Sequence, residues 1–286
     1  MGSIDVLAPG LLTSIQDRGR FGFKKFGVPV SGAMDQQSSA LANHLLNNDA
    51  DAAVMEITLT GPQLVFNSDA LIVVTGADLS PSVNGGACPM SRLVQLSAGD
   101  ILSFGAAQKG VRAYIGVKGG FQTEIVMNSF SFYSGITSQP LIKKGDRLSI
   151  HTSRSSDQFK SVVKEDPTLF DSPDLLCSPG PEFELLKQED QKNIFGLEFN
   201  VSSDNNRMGY RFNGDKLPYP DSYSMLTSSV LPGTVQLTPS GQLIALMRDC
   251  QTTGGYPRIL QLSETAINRL AQKRTQDRVR FVIQDL

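Results

Sequence analysis

Histidine is scarce in this chain: His44 and His151 are the two among 286 residues. Cysteine is little commoner, with Cys88, Cys177 and Cys250 widely spaced and no Cys-x-x-Cys pair. With so few imidazoles and no paired cysteine, a zinc site is not expected. Isolated cysteines in odd number argue against a disulfide framework and fit a reducing, cytoplasmic setting. A Ser-His-Asp relay would have to run through one of the two histidines, and His44 sits in a leucine-rich helical stretch where a structural place is the simpler reading. Basic excess is missing as well: 26 Lys and Arg stand against 28 Asp and Glu. Nucleic-acid binding by phosphate neutralisation needs clustered cations that this balance does not supply. The longest clearly apolar run, around residues 70–74, falls far short of the ~20 residues of a membrane span. The opening MGSIDVLAPG has neither the basic nor the apolar region of a signal peptide. No GxxxxGK[ST] loop and no strand–GxGxxG–helix unit occurs, so the two common nucleotide cradles are absent. No Met-Lys-Met site occurs, so any biotin is carried by another chain.

What is present is a foldable, turn-rich composition. Hydrophobic residues make up 40% and charged residues 19%, enough to bury a core, and 26 Gly with 15 Pro point to many turns and short strands. Bounded apolar stretches predict strands over 54–59, 63–66, 70–75, 93–96, 101–104, 111–117, 148–151, 234–237, 243–248 and 279–283. Helical spacing predicts a helix over 31–48, with Ser31 ahead of it, and a second over 263–272 with Ser263 as N-cap. The fold class is mainly β, with a few short helices.

A pattern recurs. Gly99-Asp100-Ile101-Leu102 resembles Gly145-Asp146-Arg147-Leu148, and Gln276-Asp277-Arg278-Val279 repeats it without the glycine. Each copy reads as a tight turn feeding an alternating strand, either as a common hairpin device or as the closing element of a β lobe. Residues 152–177 are polar and Ser-rich and read as a linker or surface excursion. They divide the chain into an N-terminal lobe, 1–151, and a C-terminal lobe, 178–286.

Four segments hold more Gly, charge and hydroxyl than a core needs. The first runs from Gln16-Asp17-Arg18-Gly19-Arg20 to Ser31-Gly32-Ala33-Met34-Asp35. It opens a helix, so either an anion docks at that N-terminus, or Ser31 caps the helix and Asp35 complements its dipole. The second is Gly119-Gly120 with Asn128-Ser129-Phe130-Ser131. The third holds Arg207 and Arg211, which either grip a carboxylate or phosphate or are salt-bridged on the surface. The fourth, Asp249-Cys250-Gln251-Thr252-Thr253-Gly254-Gly255-Tyr256, follows an apolar strand and suits a pocket rim. Asp249 is its candidate acid, base or orienter, while nothing nearby in sequence activates Cys250.

Taken in order, PGLLTSIQDRGRFGFKKFGVPVSGAMD, SALANHLLNN, EITLTGPQLVF, VTGAD, GVRAYIGVKGG, SSDNNRMGYRFNG, PGTVQLTPSGQ and MRDCQTTGGYP resemble the family of the bacterial 5-oxoprolinase C subunit. That family also includes the kinase-inhibitor antagonist of sporulating bacteria, and is similar to allophanate hydrolase subunit 2 and to half of the carboxyltransferase domain of urea amidolyase. The resemblance runs from about Val6 to Phe281. It implies a cyclophilin-like β-barrel fold and a B-subunit-like partner with which the site is formed. It also implies an A subunit, and ATP used by the complex to open 5-oxoproline, the small-molecule substrate, to glutamate. No metal, membrane or nucleic-acid partner is implied. The alternatives are a carboxyltransferase component acting on a urea- or allophanate-like substrate, and a regulatory binder of a B-like protein. The motif residues nominated as catalytic are Asp249, Tyr256 and Arg207; those nominated for substrate binding are Arg211, Thr252, Thr253, Gln16, Asp17, Arg20, Ser31 and Asp35. The chain departs from the family where Phe130 replaces a common Arg and where Leu243 stands for a common Pro, which points to a different substrate or a weakened activity.

Overall fold

The computed structural model describes residues 1–152, 168–220 and 226–284. They fall into two units. The first takes Met1–Arg20 and the described chain from Ser31 to Thr152; the second takes Phe21–Val30 and the described chain from Thr168 onward. The segment 21–30, expected with the N-terminal lobe, thus belongs by its contacts to the second unit. The expected linker lies largely outside the described residues. Its described end is a short helix, Thr168–Asp171, and the start of a barrel strand, Asp174–Pro179.

The first unit is a two-sheet sandwich with a helix on one face. The seven-stranded sheet runs in the order Phe121–Gln122, Arg147–Ile150, Gly2–Ala8, Gln63–Phe66, Ile101–Ser103, Ser82–Val83, Gly86–Ala87. The five-stranded sheet runs Leu12–Gln16, Val54–Thr58, Lys109–Val117, Ala70–Asp78, Val94–Leu96. Alternation decides which side chains meet between them. In Gly2–Ala8, Ile4 and Val6 turn inward, with Ile4 opposite Leu148 on one side and Phe66 on the other. From the facing sheet Ile15, Met55, Ile57, Ile72, Val74, Ala113 and Ile115 close the same cluster. Each buried aliphatic side chain contributes about 1.5–3 kcal/mol.

The outer face of the five-stranded sheet is apolar too, with Leu71 and Val73 clustered against Leu46. The helix Gln36–Leu45 covers it, and Gly116 permits the approach, since a Cβ there would stand 2.7 Å from Leu46 Cδ1. This helix is shorter than the predicted 31–48, and its N-cap is Asp35. Asp35 Oδ1 accepts the Ser38 N–H at 3.0 Å. Ser31 cannot be the cap because its φ of 58° puts it in the left-handed region, whereas a capping residue is extended.

The second unit is a closed barrel of seven strands in the order Asp174–Pro179, Arg258–Leu262, Thr234–Leu237, Leu243–Leu246, Gly209–Asn213, Phe199–Asn205, Arg278–Ile283. The last and first strands pair in parallel, Leu175 opposite Phe281, and seal it. Closure removes the open edges. Phe199, Phe212 and Phe281 fill the interior with rings 5.5–6.3 Å apart. The helix Glu264–Ala271 follows its predicted stripe: Ser263 Oγ accepts the Ala266 N–H, and Ala266, Ile267, Leu270 and Ala271 are buried. Among the described residues no helix is long and apolar enough to cross a membrane.

The recurring Gly-Asp turn is one structure made three times. The carboxylates of Asp100, Asp146 and Asp277 accept the N–H three residues back, from Ser97, Lys143 and Arg274, at 2.7, 2.8 and 2.7 Å. Their own N–H groups bond the same residues' carbonyls. Each turn delivers a sheet strand.

Candidate functional site

In the first unit the nominated residues gather where the strand Leu12–Gln16 ends. Asp17 is buried, and its carboxylate accepts four hydrogen bonds: Gly19 N–H at 2.8 Å, Ser129 Oγ at 2.8 Å, Ser131 Oγ at 2.5 Å and Phe130 N–H at 2.6 Å. Phe130, the departure from the family pattern, thus serves Asp17 through its backbone while its ring packs on the main core. Arg20 is wholly buried and donates from Nε to Val126 O and from Nη2 to Ser131 O, at 3.0 and 2.7 Å. Gln16 Nε2 donates to Ser14 Oγ at 2.9 Å. Asp17 and Arg20 therefore clamp residues 126–131, where Met127 and Asn128 both hold positive φ in a turn closed by the Val126–Ser129 bridge.

The turn Ser31–Asp35 is fixed from several sides. Ala33 N–H bonds Asp17 O at 2.8 Å, Met34 N–H bonds Glu56 Oε2 at 2.7 Å, and Asp35 N–H bonds Tyr114 Oη at 2.8 Å. Gly32 is obligatory there: its φ is +91°, and a Cβ would lie 2.8 Å from Arg18 O. Ser31 is fully buried, and its hydroxyl has no hydrogen-bond partner among the described residues. The helix N-terminus already carries the protein's own Asp35 carboxylate, which also accepts from Ser38 Oγ at 2.6 Å.

Glu56 and Tyr114 join this cluster, and the sequence reading misses them. Tyr114 Oη donates to Glu56 Oε2 at 2.8 Å, and Arg112 Nε stands 4.0 Å from Glu56 Oε1. Burial, reinforced by the Glu56 charge, pushes the Tyr114 phenol well above its usual range, so it remains a donor. The available signal was an acid inside an otherwise apolar strand, Val54–Thr58.

In the second unit the structure joins Arg207 to Asp249. Nε meets Oδ2 at 2.7 Å and Nη2 meets Oδ1 at 3.0 Å, while Asp249 N–H bonds Arg207 O at 2.9 Å. Arg211 turns instead to Asp204, at 2.6 Å on the surface. Thr252, Thr253 and Tyr256 follow on one loop. Thr252 O accepts the Val230 N–H, Thr253 pairs with Ser229 in a short ribbon, and Tyr256 is exposed. Burial pushes the Cys250 thiol up to about 11, the charge of Asp249 adds to this, and those of Lys24 and Arg248 oppose it. Cys250 is therefore protonated and unreactive at neutral pH. Lys24 reaches this turn from a position 226 residues earlier in the chain than Cys250, a proximity no local motif announces. No group of three His, Cys, Asp or Glu among the described residues is placed to hold a metal.

A β sandwich and a sealed β barrel with polar clusters at Asp17–Asp35 and Arg207–Tyr256 define the class. The chain belongs to the carboxyltransferase domain family, subdomain A and B, whose model matches residues 26–283. Within that class it is similar to the C subunit of 5-oxoprolinase from Escherichia coli strain K12, 35% identical over 274 residues, which are 94% of this chain and 87% of that protein. The corresponding C subunit of Haemophilus influenzae is 33% identical over 97% of this chain and 90% of its own length. The urea amidolyase of Saccharomyces cerevisiae is 30% identical over 75% of this chain but 12% of that protein. Among solved structures, the K. lactis urea amidolyase matches with TM-score 0.88 and 27% identity, over 99% of this chain and 19% of that one. The protein TTHA0988 matches with TM-score 0.88 and 26% identity, so that this chain spans 55% of its length.

Proposed function

We propose that this chain is the C subunit of an ATP-dependent 5-oxoprolinase and acts with A and B partner subunits in the cytoplasm to open 5-oxoproline to glutamate. The observation that carries this reading is the 35% identity to a 5-oxoprolinase C subunit along nearly the whole of both chains. The chemistry fits a divided enzyme. A lactam is resonance-stabilised, so its opening is coupled to phosphoryl transfer, and the charge that develops needs fixed donors. This chain offers such donors, and the ATP is used by the complex.

The geometry supports the following roles. Asp249 has both oxygens engaged by Arg207 and acts as an orienter of the loop that presents Thr252, Thr253 and Tyr256. Tyr256 supplies an exposed phenolic donor to substrate. In the first unit Gln16, Asp17, Arg20 and Asp35 hold the framework, and Ser31 offers a buried hydroxyl that has no partner among the described residues. The test is reconstitution with A and B subunits and assay of ATP- and 5-oxoproline-dependent glutamate formation. Loss of glutamate on omitting this chain supports the reading; equal glutamate without it overturns it. The second reading, a carboxyltransferase component for a urea-like substrate with biotin on another chain, draws on the urea amidolyase match at TM-score 0.88. Turnover of carboxybiotin in place of 5-oxoproline would favour it.

A further inference from the structure

Both arginines nominated to hold an anion are already neutralised by carboxylates, Arg207 by Asp249 and Arg211 by Asp204. Arg248, on the same turn as Asp249, is paired with Glu264 at 2.7 Å. Lys24 differs from all three. Its Nζ donates to the Val230 carbonyl, and among the described residues no carboxylate pairs with it. An ammonium has three N–H donors, so two remain after Val230.

The position of Lys24 is built into the fold. It begins the single turn Lys24–Phe26, closed by the Gly27 N–H on Lys24 O at 2.9 Å, with Gly27 at φ +79°. The whole segment 21–30 lies with the second unit. Val230, which receives the ammonium, gives its own N–H to Thr252 O at 3.2 Å. Lys24 is therefore tied through one residue to the loop that carries Thr252, Thr253 and Tyr256. Its charge is felt at Cys250 together with those of Asp249 and Arg248. Around that turn the Arg207–Asp249 and Arg248–Glu264 pairs cancel, and the charge of Lys24 is left over. A partly buried cation with no carboxylate partner among the described residues, tied through Val230 to the loop that carries Thr252 and Thr253, is suited to receive an oxyanion.

We propose that Lys24 is the anion-binding residue of the second unit's site, and that it takes an oxyanion of the substrate. The oxyanion is either the carboxylate of 5-oxoproline or a phosphoryl oxygen from ATP. This rests on the oxoprolinase reading of the same site. The neighbouring Lys25 lies over the Phe26 ring, 5.1 Å from its centroid, and serves as the matched control.

The experiment compares wild type, Lys24→Met, Lys24→Arg and Lys25→Met in the reconstituted complex. In parallel, the same chains are titrated calorimetrically with 5-oxoproline and with inorganic phosphate. Lys24→Met is expected to raise KM about tenfold or more with kcat within about twofold, the pattern of lost uniform binding. The rise falls on 5-oxoproline if the carboxylate is held, and on ATP if the phosphoryl oxygen is held. Lys24→Arg is expected to stay near wild type and Lys25→Met to match it, with circular dichroism confirming the folded state. Unchanged KM for both substrates in Lys24→Met overturns the proposal. A wild-type complex that makes no glutamate sinks the oxoprolinase reading instead, and the titration then decides on Lys24 alone. Anion binding lost only in Lys24→Met supports it. Binding equal in Lys24→Met, or undetectable in wild type, overturns it.

Discussion

Arg207 and Asp249 are joined by two parallel hydrogen bonds, with the side chains 12% and 11% exposed. At that depth the pair is asymmetric in its energetics. Removing one member strands a charge, which costs roughly 3 kcal/mol, whereas an exposed pair costs under about 1 kcal/mol. We expect Arg207→Met and Asp249→Asn each to lower the urea midpoint by the larger amount, and Arg207→Met/Asp249→Leu to recover much of it. Single variants no worse than Arg211→Met, which breaks the exposed pair with Asp204, would show that Arg207 and Asp249 are not coupled in this way.

The three Asp turns differ in the residue immediately before the Asp. Gly99 and Gly145 stand at φ +95° and +89°, while the third copy places Gln276 at φ +74°. A Cβ at either glycine would meet nothing within 4 Å, so the difference is backbone strain alone. A side chain in the left-handed region costs about 1–2 kcal/mol, and glycine returns about 0.5–1 kcal/mol of that through its freer unfolded chain. Gln276→Gly is expected to stabilise the protein by roughly 0.5–1 kcal/mol, read as a higher urea midpoint. Gly145→Gln should do the reverse, and a Gln276→Gly variant less stable than wild type would contradict the strain argument.

Those turns are legible from sequence because their bonds are local, within three residues. The helix Glu264–Ala271 is legible for the same reason, since Ser263 and the apolar stripe are adjacent in the chain. The strand Gly2–Ala8 alternates plainly, yet at the start of a chain the same residues invite a test for a leader before a test for a strand. Phe199–Asn205 and Gly209–Asn213 are hidden by polar residues that draw a chemical reading. What sequence does not supply is pairing at a distance. Asp249 finds Arg207 42 residues away, Asp17 finds Ser131 114 away, and Lys24 finds Val230 206 away. The arginines that look like anion holders in the sequence are occupied by carboxylates once those pairings form.

Tyr114 links two elements through one oxygen, donating to Glu56 and accepting from Asp35 N–H, all buried. Tyr114→Phe removes the atom and leaves both partners short. Unsatisfied buried groups cost about 1–3 kcal/mol. We expect that loss in stability, together with faster amide exchange at Asp35 and the first turn of the helix Gln36–Leu45. Exchange unchanged at Asp35 would mean that the Ser31–Asp35 turn is held without the phenol.

Glu182 and Arg258 tie the start of the turn Phe183–Leu185 to the barrel, and Arg258 Nη1 also holds Ser229 O, in the ribbon that carries Thr253. The hydrogen bonds from Arg258 hold the Glu182 carboxyl below its ordinary 4.5, against the opposing effect of burial. A carboxyl whose folded pKa is depressed binds its proton more readily in the unfolded chain. Its contribution is therefore complete above the ordinary value and is lost as pH falls through the folded one. Between about pH 5 and about pH 3 wild type is expected to lose more stability than Glu182→Gln, with the two curves running parallel above that range. Asp5 is also held low by Arg147, but at the surface, where solvent screens the pair, so Asp5→Asn should leave the acid limb nearly unchanged. Chemical denaturation across that pH range decides it, and an acid limb in Glu182→Gln as steep as in wild type would remove Glu182 from the account of acid sensitivity.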